Sequence, residues 1–262
     1  MNLSLTNKFA VVCGSSQGLG LAAAVELATW GANCILLARN KESLKKAVDS
    51  LPNNGVQQHT FSVADFTDTA AVQRAIEGIV AEHNIEILVN NSGGPKPGLI
   101  TDAAPEDFMN GFQQHLINNR NLVQAVLPGM KSAHYGRIIN IISTSVKTPL
   151  PNLGVSNTIR AAVAAWAKTL SNEVGQYNIT VNNVLPGLTA TARLSSLIAG
   201  TAEKSSQSVE NVEQGMLATI PMKRFGEAAE IANVIAFLAS PAASYLTGVS
   251  IPVDGGRTPT LS

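Results

Sequence analysis

Charge is scarce in this 262-residue chain. Lys, Arg, Asp and Glu make up 14% of it, and 18 bases meet 18 acids, so the formal net charge is zero. Like-charge repulsion therefore cannot hold the chain unfolded. With no block of Lys and Arg, there is also no electrostatic footprint for nucleic acid or an anionic membrane. Cys13 and Cys34 are the two cysteines, both in apolar runs, and two do not make a disulfide framework for a chain this long. They read as buried thiols, able to pair only if neighbouring strands bring them together. C-x-x-C and H-x-x-x-H are absent and His59, His83, His115 and His134 are dispersed, which argues against a metal site. The start, MNLSLTNKFAVV, lacks a basic stretch before a long apolar one, so no secretory leader is expected. The uncharged run 231–253 is broken by Pro241, Gly248 and Pro252, and reads as helix, turn and strand rather than a membrane span. The expectation is a cytoplasmic protein without nucleic-acid or membrane partners.

What the chain has is alternation. Short runs rich in Val, Ile and Leu fall at 9–13, 34–38, 57–63, 85–90, 137–142, 180–185 and 249–253. Between them lie stretches with helical spacing at 19–30, 41–50, 69–83, 108–131, 158–175 and 228–239. Runs without polar alternation belong to strands buried on both faces, and strand–helix alternation implies βαβ units. No linker or repeat divides the chain. The fold class expected is α/β: a single Rossmann-type, doubly wound domain over 1–262, with a mostly parallel seven-stranded sheet and helices on both faces. Residues 190–225 break the rhythm, with Leu194, Leu197, Ile198, Met216 and Leu217 spread thinly among Ser, Ala and Thr. Such a stretch is a lid or a loosely packed excursion. Its place after the carboxyl end of the sixth strand argues for a lid, because open α/β sheets bind ligands there.

The first strand runs directly into Cys13-Gly14-Ser15-Ser16-Gln17-Gly18-Leu19-Gly20 and then a helix. Glycines here let the chain turn sharply, let a pyrophosphate approach the backbone and let the helix sit close to the sheet, with free N–H groups facing the anion. Arg39 ends the second strand, where recognition of a free ribose 2′-hydroxyl calls for an acid. A guanidinium there suits a 2′-phosphate, so NADP(H) is favoured over NAD(H); an exposed loop Arg is the alternative.

Together with Asp65, Asn90-Asn91-Ser92-Gly93, the run Gly136 to Ser143, Thr180-Val181-Asn182, Pro186-Gly187, Arg224-Phe225-Gly226 and Val253-Asp254-Gly255-Gly256, these pieces resemble the short-chain dehydrogenase/reductase family. The resemblance runs from Phe9 to Gly256 and points to the 3-oxoacyl-acyl-carrier-protein reductase-like branch. It implies that Gly14, Ser16, Gly18, Leu19 and Gly20 line the pyrophosphate and ribose, and that Asp65 meets the adenine. Asn91 and Gly93 would lie along the cofactor, and Pro186, Gly187 and Thr189 would hold the nicotinamide carboxamide. Members of this family are commonly tetramers. An Ala-rich face around Ala161, Ala164, Ala165 and Ala167 would allow close helix packing in a tetramer or dimer.

The resemblance fails at the catalytic positions. The family uses Asn, Ser, Tyr and Lys; the same counts here give His115, Ser143, Ser156 and Arg160. An aliphatic hydroxyl is a far weaker acid than a phenol with a pKa of about 10. Arg160 can bind ribose hydroxyls but will not surrender its proton. Losing general acid catalysis costs on the order of 10²–10⁴ in rate. His115 can replace it through its imidazole, directly or through water and Ser156 or Ser143, or it can be a structural His. Three functions stay open: an NADP(H)-dependent oxidoreductase on a carbonyl or alcohol with a rearranged proton relay, a silent cofactor-binding sensor or scaffold, and a non-redox enzyme that uses the nucleotide structurally.

Overall fold

The computed structural model describes residues 1–261. Seven strands, β1 (Phe9–Cys13), β2 (Asn33–Ala38), β3 (Thr60–Val63), β4 (Ile87–Asn90), β5 (Gly136–Ile141), β6 (Ile179–Pro186) and β7 (Ser250–Val253), form one sheet in the order 3-2-1-4-5-6-7. Every pairing is parallel, so the expected "mostly" becomes wholly parallel. The helices are α1 (Gly18–Thr29), α2 (Lys41–Asp49), α3 (Thr69–Glu82), α4 (Pro105–Phe112), α5 (Asn118–Ala133), α6 (Gly154–Val174), α7 (Ala192–Ser205), α8 (Val209–Ala218) and α9 (Ala228–Ala239).

Strand side chains alternate between the two faces of the sheet, and here both faces are apolar. Ala10, Val12, Leu36, Val89 and Ile139 meet α1, α2 and α9 on one side. Val11, Leu37, Leu88, Ile138 and Val181 meet α3, α5 and α6 on the other. Cys34 belongs to the first core and Cys13 to the second. The sheet itself separates them, both thiols are free, and burial pushes each up to about 12.

A polar ladder crosses this apolar sheet. Asn90 Nδ2 donates to Asn140 Oδ1 (2.9 Å), Asn140 Nδ2 to Asn183 Oδ1 (2.9 Å), and Asn183 Nδ2 to Ser250 Oγ (3.0 Å). The four residues are register partners on β4, β5, β6 and β7. The ladder ties the carboxyl ends of β4 and β5 to the middle of β6 and the first residue of β7.

Four expectations need correction. The stretch at 108–131 is not one helix: α4 and α5 are separated by a π turn, Gln113–Ile117. A single π turn adds a residue to the repeat, which hydrophobic spacing averages away. Helix α6 begins at Gly154, not 158, behind Pro149, Pro151 and Asn152, which has φ +58°. Segment 190–225 is more ordered than a loop, since α7 and α8 form within it around a small core of Leu194, Ile198, Ala202 and Val212. The proposed Ala-rich face also loses a member, because Ala167 is 1% exposed in the sheet-facing core while Ala161 and Ala165 are exposed. In the run 231–253, α9 is followed by a 3-10 turn and β7; no helix among the described residues is long and apolar enough to cross a membrane.

Candidate functional site

The strand order reverses between β1 and β4, and the turns leaving the carboxyl ends of β1, β4, β5 and β6 gather around that crevice. This is where an open parallel sheet presents backbone to a ligand. The β1 turn is fixed by close approach. Gly14 has φ +59° and donates from its backbone to Leu37 O at 2.8 Å. Asn91 Nδ2 donates to Cys13 O and Gly14 O, both at 3.3 Å. A Cβ on Gly20 would lie 2.3 Å from Gly14 O, so α1 can meet the turn only as glycine. Ser15, buried, accepts from Leu37 N and serves the turn itself. Ser16 and Leu19 are half-buried on the other side.

Whether this turn suits a dinucleotide is answered by its own geometry. Helix α1 starts behind Gln17 with no side-chain cap and no acid in its first turn, leaving its free N–H groups for an anion. Cβ positions at Gly18 and at Gly93, beyond β4, meet nothing within 4 Å, so both open onto free space. Arg39 is exposed at the end of β2. Asp65 accepts from Thr67 N and Thr67 Oγ1, both at 2.9 Å; these bonds, with the nearby charge of Arg39, hold its carboxyl below the usual range. Pro186 and Gly187 leave β6, Gly187 N donating to Val253 O, and buried Thr189 donates its hydroxyl to Gly187 O. The residues present fit a phosphorylated dinucleotide.

The π turn carries His115 to the inside, where it is 1% exposed. Its Nδ1 lies 2.8 Å from Ser92 Oγ, and its Nε2 is buried with no hydrogen-bond partner among the described residues. Burial, then the charges of Arg160 and Arg193, push the imidazole down to about 2, so the ring is neutral at any physiological pH. Its partner is thus Ser92, where the sequence suggested Ser156 or Ser143. Arg160 is buried on α6 beside buried Ser156, one turn away. Its Nη1 donates to Ile141 O at 3.2 Å, while its Nε has no partner. Burial lowers it to about 10, which leaves it charged. Ser143 Oγ accepts from Ser145 N at 3.1 Å, a bond that does not engage its own proton.

Two residues of this cluster have no role in the sequence reading, although Ser92 lies in the motif Asn90-Asn91-Ser92-Gly93. Ser92 fixes His115. Arg193, on α7, lies across Gly94: a Cβ there would stand 2.7 Å from its Nη2. No group of three or more metal-ligating side chains forms among the described residues.

Comparison with known proteins supplies the relatives. The family model described as Enoyl-(Acyl carrier protein) reductase matches residues 14–258. The chain is 31% identical to the NADPH-dependent reductase BacG of Bacillus subtilis, covering 98% of this chain and all of that one. It is 34% identical to the 3-oxoacyl-[acyl-carrier-protein] reductase FabG of Pseudomonas aeruginosa, covering 97% and 98%. The crystal structure of L-sorbose reductase from Gluconobacter frateurii, complexed with NADPH and L-sorbose, superposes with a TM-score of 0.93 at 31% identity over the full length of both chains. The turn, the sheet order and these matches agree, and the chain belongs to the short-chain dehydrogenase/reductase family, on its 3-oxoacyl-[acyl-carrier-protein] reductase-like side.

Proposed function

We propose that this protein is an NADP(H)-dependent oxidoreductase that interconverts a carbonyl and an alcohol, with a proton path rebuilt around His115. The observation that carries the reading is that two buried nitrogens, His115 Nε2 and Arg160 Nε, have no partner, on side chains that reach the turn after β4 and the end of β5. Buried polar atoms are nearly always paired, and exceptions concentrate where a ligand completes them. That NADPH appears with BacG and the sorbose reductase supports the cofactor, and Arg39 supports its phosphorylated form.

When bound, the nicotinamide supplies or accepts hydride; the chain's residues must position the substrate and handle one proton. Gly14, Ser16, Gly18, Leu19 and Gly20 hold the pyrophosphate, Arg39 the 2′-phosphate and Asp65 the adenine. Asn91, Gly93, Pro186, Gly187 and Thr189 flank the nicotinamide half, and Arg160 takes ribose hydroxyls. Ser143 donates to the substrate oxygen, and Ser156 contributes a second hydroxyl. His115 passes a proton as a neutral ring, releasing one from Nε2 as Nδ1 takes another from the Ser92 hydroxyl, which regains its own from solvent at this half-buried position, so no imidazolium is needed at rest. Segment 190–225 acts as a lid. The protein works in the cytoplasm as a dimer or tetramer joined across α5 and α6, and a monomer by light scattering would remove that last element.

Calorimetric titration with NADPH and NADH tests the site. NADPH should bind more tightly, and Arg39→Ala should erase the difference. A panel of ketones and aldehydes should then oxidise NADPH, with His115→Ala slowing turnover by about 10²-fold or more. One observation favours a silent binding protein instead: Ser156 offers only an aliphatic hydroxyl where an acid is needed. Tight NADPH binding with a blank panel, and activity created by Ser156→Tyr with Arg160→Lys, would establish that second reading.

A further inference from the structure

The chain balances its charges overall but not locally. No Asp or Glu occurs in residues 1–25, 87–101, 108–172 or 174–202. These segments contain β1, β4, β5 and β6 with the turns that follow them, the parts that build the crevice. Lys96, Lys147, Arg160 and Arg193 lie beyond strand ends in those same segments.

Two of these cations are close together and uncompensated. Arg160 approaches from the core, buried, with its Nε free. Arg193 approaches from α7, its guanidinium over Gly94, two residues beyond the Ser92 that holds His115. The charge of Arg193 reaches Arg160, and both act on His115. The ion pairs among the described residues are Lys8–Glu86, Arg74–Asp68, His83–Glu82 and Arg224–Glu230, none of which involves either. Arg193 is also the second residue of α7, where the helix dipole disfavours a cation, and that end has neither a side-chain cap nor an acid in its first turn. Each feature costs stability unless something negative sits there. Arg39, by contrast, already faces Asp65.

We propose that the substrate carries a carboxylate, held by Arg193 beside His115, with Arg160 adding its charge while its guanidinium keeps the ribose hydroxyls. The proposal rests on the oxidoreductase reading of this pocket and names its substrate class, oxo acids or hydroxy acids. The guanidinium fork of Arg193 matches the planar oxygens of a carboxylate through charge-assisted hydrogen bonds. Phosphate esters offer the same anionic oxygens, and the cofactor's own pyrophosphate is a third claimant on Arg193, so the test separates all three.

Full-length protein, with and without NADPH, is titrated calorimetrically with hexanoate, hexanamide and methyl phosphate. Wild type is compared with Arg193→Ala and Arg193→Lys. Hexanoate should bind at least about tenfold more tightly than hexanamide, fall about tenfold in Arg193→Ala, and partly recover in Arg193→Lys. NADPH affinity should stay within about twofold in both variants. In turnover, 4-oxopentanoate should exceed its methyl ester in kcat/KM by about tenfold or more. Equal binding of hexanoate and hexanamide, or of neither, overturns the proposal. So does a preference for methyl phosphate, or an Arg193→Ala loss that falls equally on NADPH. Arg193-dependent hexanoate binding with no turnover of any carbonyl would sink the oxidoreductase reading and keep the anion site. Turnover of neutral ketones without hexanoate binding would do the reverse.

Discussion

Replacing Asn140 by Leu keeps the branching and heavy-atom count of the side chain and deletes both of its hydrogen bonds in the sheet ladder. Asn90 Nδ2 and Asn183 Oδ1 are then left unpaired at positions 1% and 3% exposed. An orphaned buried polar group costs about 1–3 kcal/mol, so the two together should cost about 2–6 kcal/mol. Removing the partners as well changes the sign of the argument. In the triple change Asn90→Leu, Asn140→Leu and Asn183→Leu, the atom left without its bond is Ser250 Oγ, on a half-buried outer strand that water reaches. The triple variant should therefore be less destabilised than the single one. Urea unfolding at one fixed protein concentration measures both, since assembly would otherwise mix into the midpoint. A single variant within about 0.5 kcal/mol of wild type, or a triple variant destabilised by the sum of its parts, refutes the reasoning. The ladder also matters to the pocket, because Ser92, Ser143 and Pro186 lie two or three residues beyond its members.

Gly20→Ala should force the first turn away from α1, because its Cβ meets Gly14 O at 2.3 Å; calorimetry should show NADPH binding lost, and unfolding a cost of about 1–3 kcal/mol. His115 gives the protein an acid liability. Its folded pKa of about 2 lies far below the unfolded value of about 6.5, so below pH 6.5 the unfolded chain binds a proton that the native one refuses. Stability should fall as pH drops from 6.5, with a slope approaching about 1.4 kcal/mol per pH unit from this group, and His115→Asn should remove that contribution. For the same reason, a limb near pH 6.5 in the free-enzyme kcat/KM profile that disappears in His115→Asn would contradict a neutral ring. Arg39→Ala should weaken NADPH and leave NADH unchanged; equal loss for both would make Arg39 a general contact.

The sheet was readable because its strands are buried on both sides and so appear as unbroken apolar runs, with helices between them at βαβ spacing. The glycine turn was readable because few other residues permit that backbone. What stayed hidden has physical reasons. The early start of α6 has no capping side chain to announce it. Helices α7 and α8 bury Leu194, Ile198, Ala202 and Val212 against each other more than against the sheet, which leaves a faint stripe. Ser143, His115, Ser156 and Arg160 were found by counting along a resemblance, and counting carries no information about partners. Thus the Ser92 bond to His115 had no signal of its own. Arg193 had one, in the acid-free segments around it, but that signal is an absence and becomes legible only once the strands are known to converge.

The π turn between α4 and α5 sets two helical phases independently. Helix α5 turns Leu122, Val126 and Met130 to the sheet, while α4 presses Gly111 so closely on α6 that a Cβ would lie 2.9 Å from Ile159 Cγ1. One residue of an α-helix corresponds to about 100° of rotation. Deleting a single residue within 113–117 would close the bulge and leave α4 and α5 as one continuous rod, no longer able to satisfy both contacts. The fold therefore fixes the length of this segment: exchange of residues leaves both helical phases in place, and loss of one would not.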